Sequence, residues 1–421
     1  MQLALALAPA LAALAPPVLA QSNWTKIDLD PGMVGEPSHP LVVFDGWGDL
    51  PAADPLDQVN GRYLFLGTDD ATGRELYATD GVTSTLLADT QPGPDNGSIF
   101  GGAVLGSRYF FTAHDTVLGG QLWTTEGTPA TTGVFMDLAP GPDWATATDM
   151  LTVGTQLFIM VRGQTSDSRL YVTDGSVAGT VKLKDFGSNG PTQIRLAANP
   201  AGTGVVFSAS DGLAGQELWT SDGTDPGTTL LADIRPGAGH SYPTYLTRFG
   251  DHIYFSADDG LAGAELWRTD GTDEGTVLFR DINEGTEPSW PVAFVVAGDL
   301  LFFLASDGGP GHALWRTDGT ELGTFMVADM GPDAFTGSIG PMAGIGNVLY
   351  FAADDGVSGR ELWRSDGTVA GTTMILDIDP GPGGSRPANF AAFGDQVLFG
   401  ADDGETGTEL WVTDGTALGT Y

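Results

Sequence analysis

Residues 241–282 read SYPTYLTRFGDHIYFSADDGLAGAELWRTDGTDEGTVLFRDI, and the fold follows from this stretch. It holds four short segments that alternate or are rich in β-branched and aromatic residues: Thr244–Phe249, 252–257, Ala264–Thr269 and 276–282. Such segments, bounded by Gly, Asp and Asn, read as strands. Phe249-Gly250-Asp251 turns the first pair, and Asp258-Asp259-Gly260 with Gly263 turns the second. Thr269-Asp270-Gly271-Thr272 turns the third, Asp-Gly supplying the positive φ angles of a tight hairpin. No segment carries a 3.6-residue apolar period with caps, so helices should be nearly absent. The unit is a four-stranded antiparallel sheet.

The unit recurs. ELWRTDGT at Glu265 is matched by ELWTSDGT at Glu217, ELWRSDGT at Glu361 and ELWVTDGT at Glu409. Looser copies are ELYATDGV at Glu75, QLWTTEGT at Gln121, RLYVTDGS at Arg169 and ALWRTDGT at Ala313. The starts 75, 121, 169, 217, 265, 313, 361 and 409 differ by 46 once and by 48 six times. A period of this size with four strands and no helical spacer predicts propeller blades, here a closed eight-bladed β-propeller. An open solenoid would need capping units, and the ends of the chain are not caps. The last copy stops at Gly419-Thr420-Tyr421 without a fourth strand, while residues 24–29, WTKIDL, match TLLADI at 229–234. The expected latch joins Trp24, Ile27 and Leu29 to Leu410 and Trp411, so that one blade is built from both termini and no edge is left open.

The chain has 421 residues, 41% of them apolar and none of them cysteine, enough for a large core without disulfides or thiol chemistry. Charge is the outlier: 17 Lys plus Arg against 54 Asp plus Glu give a formal net charge of −37. Such a surface repels phosphate backbones and anionic lipid, which excludes nucleic acid as a partner. Residues 1–20, MQLALALAPALAALAPPVLA, are apolar and end in Val18-Leu19-Ala20, as a signal peptide does, although no basic residue precedes the run. Pro9, Pro16 and Pro17 argue against a membrane-spanning helix. The expected organisation is therefore a signal peptide or retained apolar arm at 1–20 and a single propeller at 21–421, secreted to the extracellular space or the cell surface. Asn23 and Asn96 open glycosylation sequons.

Which residues carry chemistry is harder to read from a repeat. Trp stands third in six motifs, at 123, 219, 267, 315, 363 and 411, with Tyr77 and Tyr171 in the other two. A residue needed in every blade belongs to the scaffold, and these rings should pack between blades rather than stack on sugars. The pairs Asp258-Asp259, Asp354-Asp355 and Asp402-Asp403 sit in the loop between second and third strands. They are the candidate metal ligands, with Ca²⁺ as the cofactor and the motif glutamates Glu75, Glu265, Glu361 and Glu409 nearby. Against that, Asp-Asp-Gly is also favourable turn chemistry, and the spacing matches no calcium-loop signature. The five histidines share no repeat position, and neither a nucleophile elbow nor a phosphate loop is present, so an enzyme is not expected. One insertion breaks the pattern: Ser38 and Asn60 lie 22 positions apart where Ser241 and Gly250 lie 9 apart, and the extra residues include Trp47. Insertions on regular scaffolds are where binding or docking surfaces are added.

The copies at Glu217, Glu265, Glu361 and Glu409 resemble the ELWxxDGT repeat of exported bacterial proteins, and the resemblance covers the chain after Gln21. It implies a propeller-like extracellular protein and carries no catalytic residues to transfer. Scaffold without a polarised site suits a structural role. The functional expectation is a non-enzymatic subunit of a self-assembling filament or surface layer, its partner a further copy of itself. The joint would be the apolar arm, through the alternating Leu3, Leu5 and Leu7, or Trp47 of the insertion. The second reading is a monomeric secreted module for recognition or adhesion, binding carbohydrate or a surface protein on one propeller face.

Overall fold

In the computed structural model, residues 27–28, 41–42 and 57–421 are described, apart from 70, 81, 116–118, 139–144, 164–166, 188–194, 310 and 331–338. The described residues form eight antiparallel four-stranded blades in a ring, a β-propeller, with 3₁₀ turns at Pro129–Thr131 and Ala417–Gly419 as the helical pieces. Blade 5 shows the plan. Its strands Thr244–Phe249, His252–Asp258, Ala264–Thr269 and Val277–Arg280 are hydrogen-bonded in chain order. The fourth strand is shorter than the alternation implied, because Thr276 belongs to the preceding turn and Ile282 is claimed by another group.

The first strands are innermost. From blade 2 onward they are Ser98–Leu105, Ala145–Val153, Ala197–Ala198, Thr244–Phe249, Val292–Ala297, Ile339–Ile345 and Ala388–Phe393, and each touches the next. In blade 1 the insertion splits this strand. Leu41–Val42 pairs with one half of Arg62–Asp69 and Gln58–Val59 with the other. In blade 8 the fourth position holds Ile27–Asp28, with Ile27 opposite Leu410 and Asp28 opposite Glu409. That is the register Ala232 has opposite Leu218 in blade 4. Trp24 and Leu29 lie outside the described residues.

The core lies between blades. Neighbouring residues on a strand face opposite sides of the sheet, so each motif serves two interfaces. Phe207 and Trp219 pack back onto Phe158 and Met160 of blade 3, while Val206 and Leu218 pack forward onto Ile253, Phe255 and Trp267 of blade 5. The motif aromatics are scaffold, stacked on the paired second-strand ring, as with Phe303 on Trp315 at 6.5 Å and Phe65 on Tyr77 at 5.7 Å.

The rest of the motif closes a turn and ties one blade to the next. Asp270 Oδ1 accepts from the backbone N–H and the hydroxyl of Thr272, and Gly271 takes φ 93°. Thr272 Oγ1 then accepts from Gly275 N, and Thr276 hydroxyl donates back to Thr272 O. The same pattern recurs around Asp222, Asp318, Asp366 and Asp414. Glu265 is fully buried and fastens the connection to blade 6: Ile282 N and Ser289 hydroxyl donate to Oε2, and Ser289 N to Oε1. Glu217 does so with Ile234 and Ser241, and Glu361 with Ile378 and Ser385. These carboxylates are latches.

Candidate functional site

Each latch leaves a mark on the residue that follows it. The chain must reverse sharply after the buried serine, and the next residue donates to the start of the third strand of the blade it is leaving: Trp290 N to Ala264 O, Arg386 N to Arg360 O. That reversal holds Tyr242, Trp290 and Arg386 in the left-handed region, at φ 48°, 49° and 52°. Three residues on, a β-bulge in the first strand imposes the same hand on Tyr245, Ala293 and Asn389, at φ 59°, 55° and 58°. Left-handed backbone is uncommon for any residue other than glycine and anomalous for a bulky ring.

Three of these six residues are aromatic, and all three are exposed: Tyr242 by 54%, Tyr245 by 42% and Trp290 by 51%. Tyr242 and Trp290 precede the first strands of the neighbouring blades 5 and 6, and Tyr245 lies within the first strand of blade 5. The rings are held from beneath. His240 stacks on Tyr242 at 5.1 Å and is itself fixed, its Nδ1 accepting from Gln216 N at 2.9 Å. Tyr245 leans on Phe294 at 6.4 Å, Phe294 stacks on Phe303, and the Trp290 carbonyl lies 3.1 Å from His312 Nε2. The loops between second and third strands rise beside them. A Cβ on Gly215 would lie 1.7 Å from Gly239 O, and one on Gly263 would lie 2.9 Å from Pro288. These loops carry Leu213, 80% exposed, and Leu261, 77% exposed. The result is an arc of exposed rings and aliphatic tips over blades 4 to 6.

The expected metal ligands serve their own turns. Asp258 Oδ1 accepts from Gly260 N while Oδ2 pairs with Arg235 at 2.8 Å, and Asp259 Oδ1 accepts from Leu261 N and Ala262 N. Asp354 accepts from Gly356 N and Asp355 from Val357 N and Ser358 N. Asp402 accepts from Gly404 N and Asp403 from Glu405 N and Thr406 N. Glu75, Glu217, Glu265 and Glu361 point away from these loops into the latches, where burial raises their pKa. Among the described residues no three acidic or histidine side chains converge as a metal cage.

Of the remaining candidates, Leu410 and Trp411 are half-buried in blade 8, with Trp411 Nε1 donating to Ala401 O. Asn96 is exposed, its Oδ1 accepting from Arg74 N. Leu3, Leu5, Leu7, Asn23 and Trp47 lie outside the described residues. No helix among the described residues is long and apolar enough to cross a membrane. Tyr242, Tyr245 and Trp290 were not singled out by sequence. Their signal was the triplet Ser-Tyr-Pro at 241 and Ser-Trp-Pro at 289, aligned with Ser-Arg-Pro at 385.

No family model matches the chain, and no curated protein does. Solved structures are similar in fold. A prolyl endopeptidase studied for inter-domain dynamics has a TM-score of 0.47 at 10% identity, over 77% of this chain and 49% of its own. Puromycin hydrolase gives 0.44 at 15% identity, over 83% of this chain and 60% of its own. The β-propeller domain of the Trilobed protease from Pyrococcus furiosus gives 0.39 at 11% identity, over 76% of this chain and 96% of its own. The chain thus spans about half to three-fifths of the length of the two hydrolases. Likeness at this level transfers no activity, substrate or partner. It does correct one expectation: the filament or surface-layer subunit, with its adhesion alternative, finds no counterpart among chains that are peptidases, a hydrolase and a protease propeller.

Proposed function

We propose that this chain is a non-catalytic, exported propeller of the ELWxxDGT type that takes up extended polypeptide on the exposed arc over blades 4 to 6. In this reading residues 24–29 complete the ring. One observation carries the proposal: Tyr242, Tyr245 and Trp290 are exposed rings on left-handed backbone. Each such residue costs about 1–2 kcal/mol relative to a residue that tolerates the conformation. The same chain solves the bulge cheaply elsewhere, with Gly101 in blade 2 and Asn389 in blade 8. Rings kept exposed in spite of strain are better explained by what they touch than by the fold. Aromatic rings give large contact area for little side-chain entropy, which suits an extended chain.

The test is a triple variant, Tyr242→Asn, Tyr245→Asn and Trp290→Asn, assayed by fluorescence anisotropy against labelled unstructured peptides. The parent is expected to bind and to leave the peptides uncut by mass spectrometry. The variant should melt no lower than the parent and lose binding. A parent that binds no peptide, or a variant that binds as the parent does, overturns the reading.

A further inference from the structure

We infer that the polypeptide held on this arc is one rich in Lys and Arg side chains, an inference that rests on the peptide-binding reading and specifies its ligand. Rings and aliphatic tips alone would accept any apolar segment, so the surrounding charge decides. The connection that ends at Trp290 runs from Ile282 to Ser289, both pinned to the single carboxylate of Glu265. Between them Glu284 and Glu287 are exposed. On the neighbouring loops Asp211 is exposed and Asp259 is half-buried. Arg235, in the corresponding connection of blade 4, is engaged by Asp258 at 2.8 Å.

Exposed π faces beside unneutralised carboxylates form an environment that a guanidinium or ammonium group enters with gain on both counts. The methylene stems of those side chains match the Leu213 and Leu261 tips, which a neutral polar ligand would leave in water. The net charge of −37 steers a polycation to the surface and repels an acidic peptide. The face also limits where such a ligand lies. Arg386 in blade 8 stands where Tyr242 and Trp290 stand in blades 5 and 6, and it is exposed. A cationic segment is therefore held over blades 4 to 6 and turned away from blade 8.

The experiment uses three labelled peptides of one Gly-Ser frame, carrying arginine, citrulline or glutamate at the same positions, titrated into the full chain at low and moderate salt. The arginine peptide should bind at least about tenfold more tightly than the citrulline peptide and weaken as salt is raised. The glutamate peptide should not bind. Glu284→Gln with Glu287→Gln, and separately Trp290→Asn, should each weaken the arginine peptide several-fold at unchanged melting temperature. Leu322→Asn, an exposed tip in the turn between third and fourth strands of blade 6, should leave it unchanged. Equal binding of citrulline and arginine peptides overturns the cation inference and leaves peptide binding intact. Full affinity in both the Trp290→Asn and double glutamine variants also overturns it, since the charge of the whole molecule would then suffice. Failure of every peptide, with binding of a neutral oligosaccharide instead, overturns the inference and the reading beneath it.

Discussion

Glu265 shows what a single buried side chain does in this protein. Its two oxygens accept from Ile282 N, Ser289 N and Ser289 hydroxyl, and none of these donors has water to fall back on. Glu265→Ala orphans all three, and at about 1–3 kcal/mol for each buried unsatisfied group the loss should exceed 3 kcal/mol by urea denaturation. Glu265→Gln keeps one accepting oxygen, and Gln121 stands buried at this motif position in blade 2, so a loss of about 1–2 kcal/mol is expected. Titration adds a second prediction. Burial raises the pKa of Glu75, Glu217, Glu265 and Glu361 above the ordinary 4.5, so the folded state holds more protons than the unfolded one and stability falls as pH climbs beyond 4.5. The turn aspartates move the other way. Hydrogen bonds from Tyr77 hydroxyl, Thr72 N and Ala71 N bring Asp69 to about 2, and those from Thr272 lower Asp270. Their contribution is complete above the ordinary 3.8 and is lost as pH falls through the lowered values. The melting temperature should therefore decline both as pH falls through the lowered aspartate values and as it climbs past 4.5. Glu265→Gln should flatten the decline above 4.5, and an unchanged slope would refute the latch as its source.

The connection between blades is the element that varies, and blade 1 shows how it adapts. There Thr90 stands where Ile234 stands in blade 4, and Gly97 stands where Ser241 does. Thr90 hydroxyl donates to Glu75 Oε2 at 2.8 Å, supplying the hydroxyl that serine supplies elsewhere. The exchange leaves no room at Gly97, where a Cβ would lie 2.0 Å from Thr90 Oγ1 and 2.2 Å from Glu75 Oε1. Gly97→Ser alone should lower stability by about 2–3 kcal/mol, as an overpacked core site does. Combined with Thr90→Ile it rebuilds the pattern of the other blades, and a double-mutant cycle should return most of that loss as coupling. Blade 3 departs further. Arg169 replaces the glutamate and pairs with Asp167, while Asp149 Oδ2 accepts from Leu196 N at 2.6 Å at the junction with blade 4. Strands and turns were legible in sequence because Asp-Gly chemistry is local and the eight copies repeat it. The latch was not, because Glu265 acts on residues 17 and 24 positions away; its trace was a serine recurring 24 positions after Glu217, Glu265 and Glu361. The aromatic arc was hidden more thoroughly, since nothing in Tyr242 or Trp290 announces left-handed backbone as glycine or asparagine would.

At the scale of the whole ring, each gap among blades 1 to 8 in chain order has its own buried core, so seven interfaces are visible among the described residues. A ring built of nearest-neighbour interfaces is only as strong as its seam, because an opened junction exposes two blade faces at once. In blade 8 Ile27–Asp28 pairs with Thr408–Thr413, and Ile27 opposite Leu410 repeats the register found inside blade 4. Removing residues 1–30 takes away the strand Ile27–Asp28 and leaves Thr408–Thr413 as an unpaired edge. The truncated chain should melt well below the full chain and gain slow, concentration-dependent association, read by light scattering. A synthetic peptide of residues 22–32 should restore the melting temperature in proportion to its concentration, as a ligand that binds only the folded state must. The same peptide with Ile27→Asp and Leu29→Asp should not. A truncated chain as stable as the parent would show that the ring holds without its N-terminal strand.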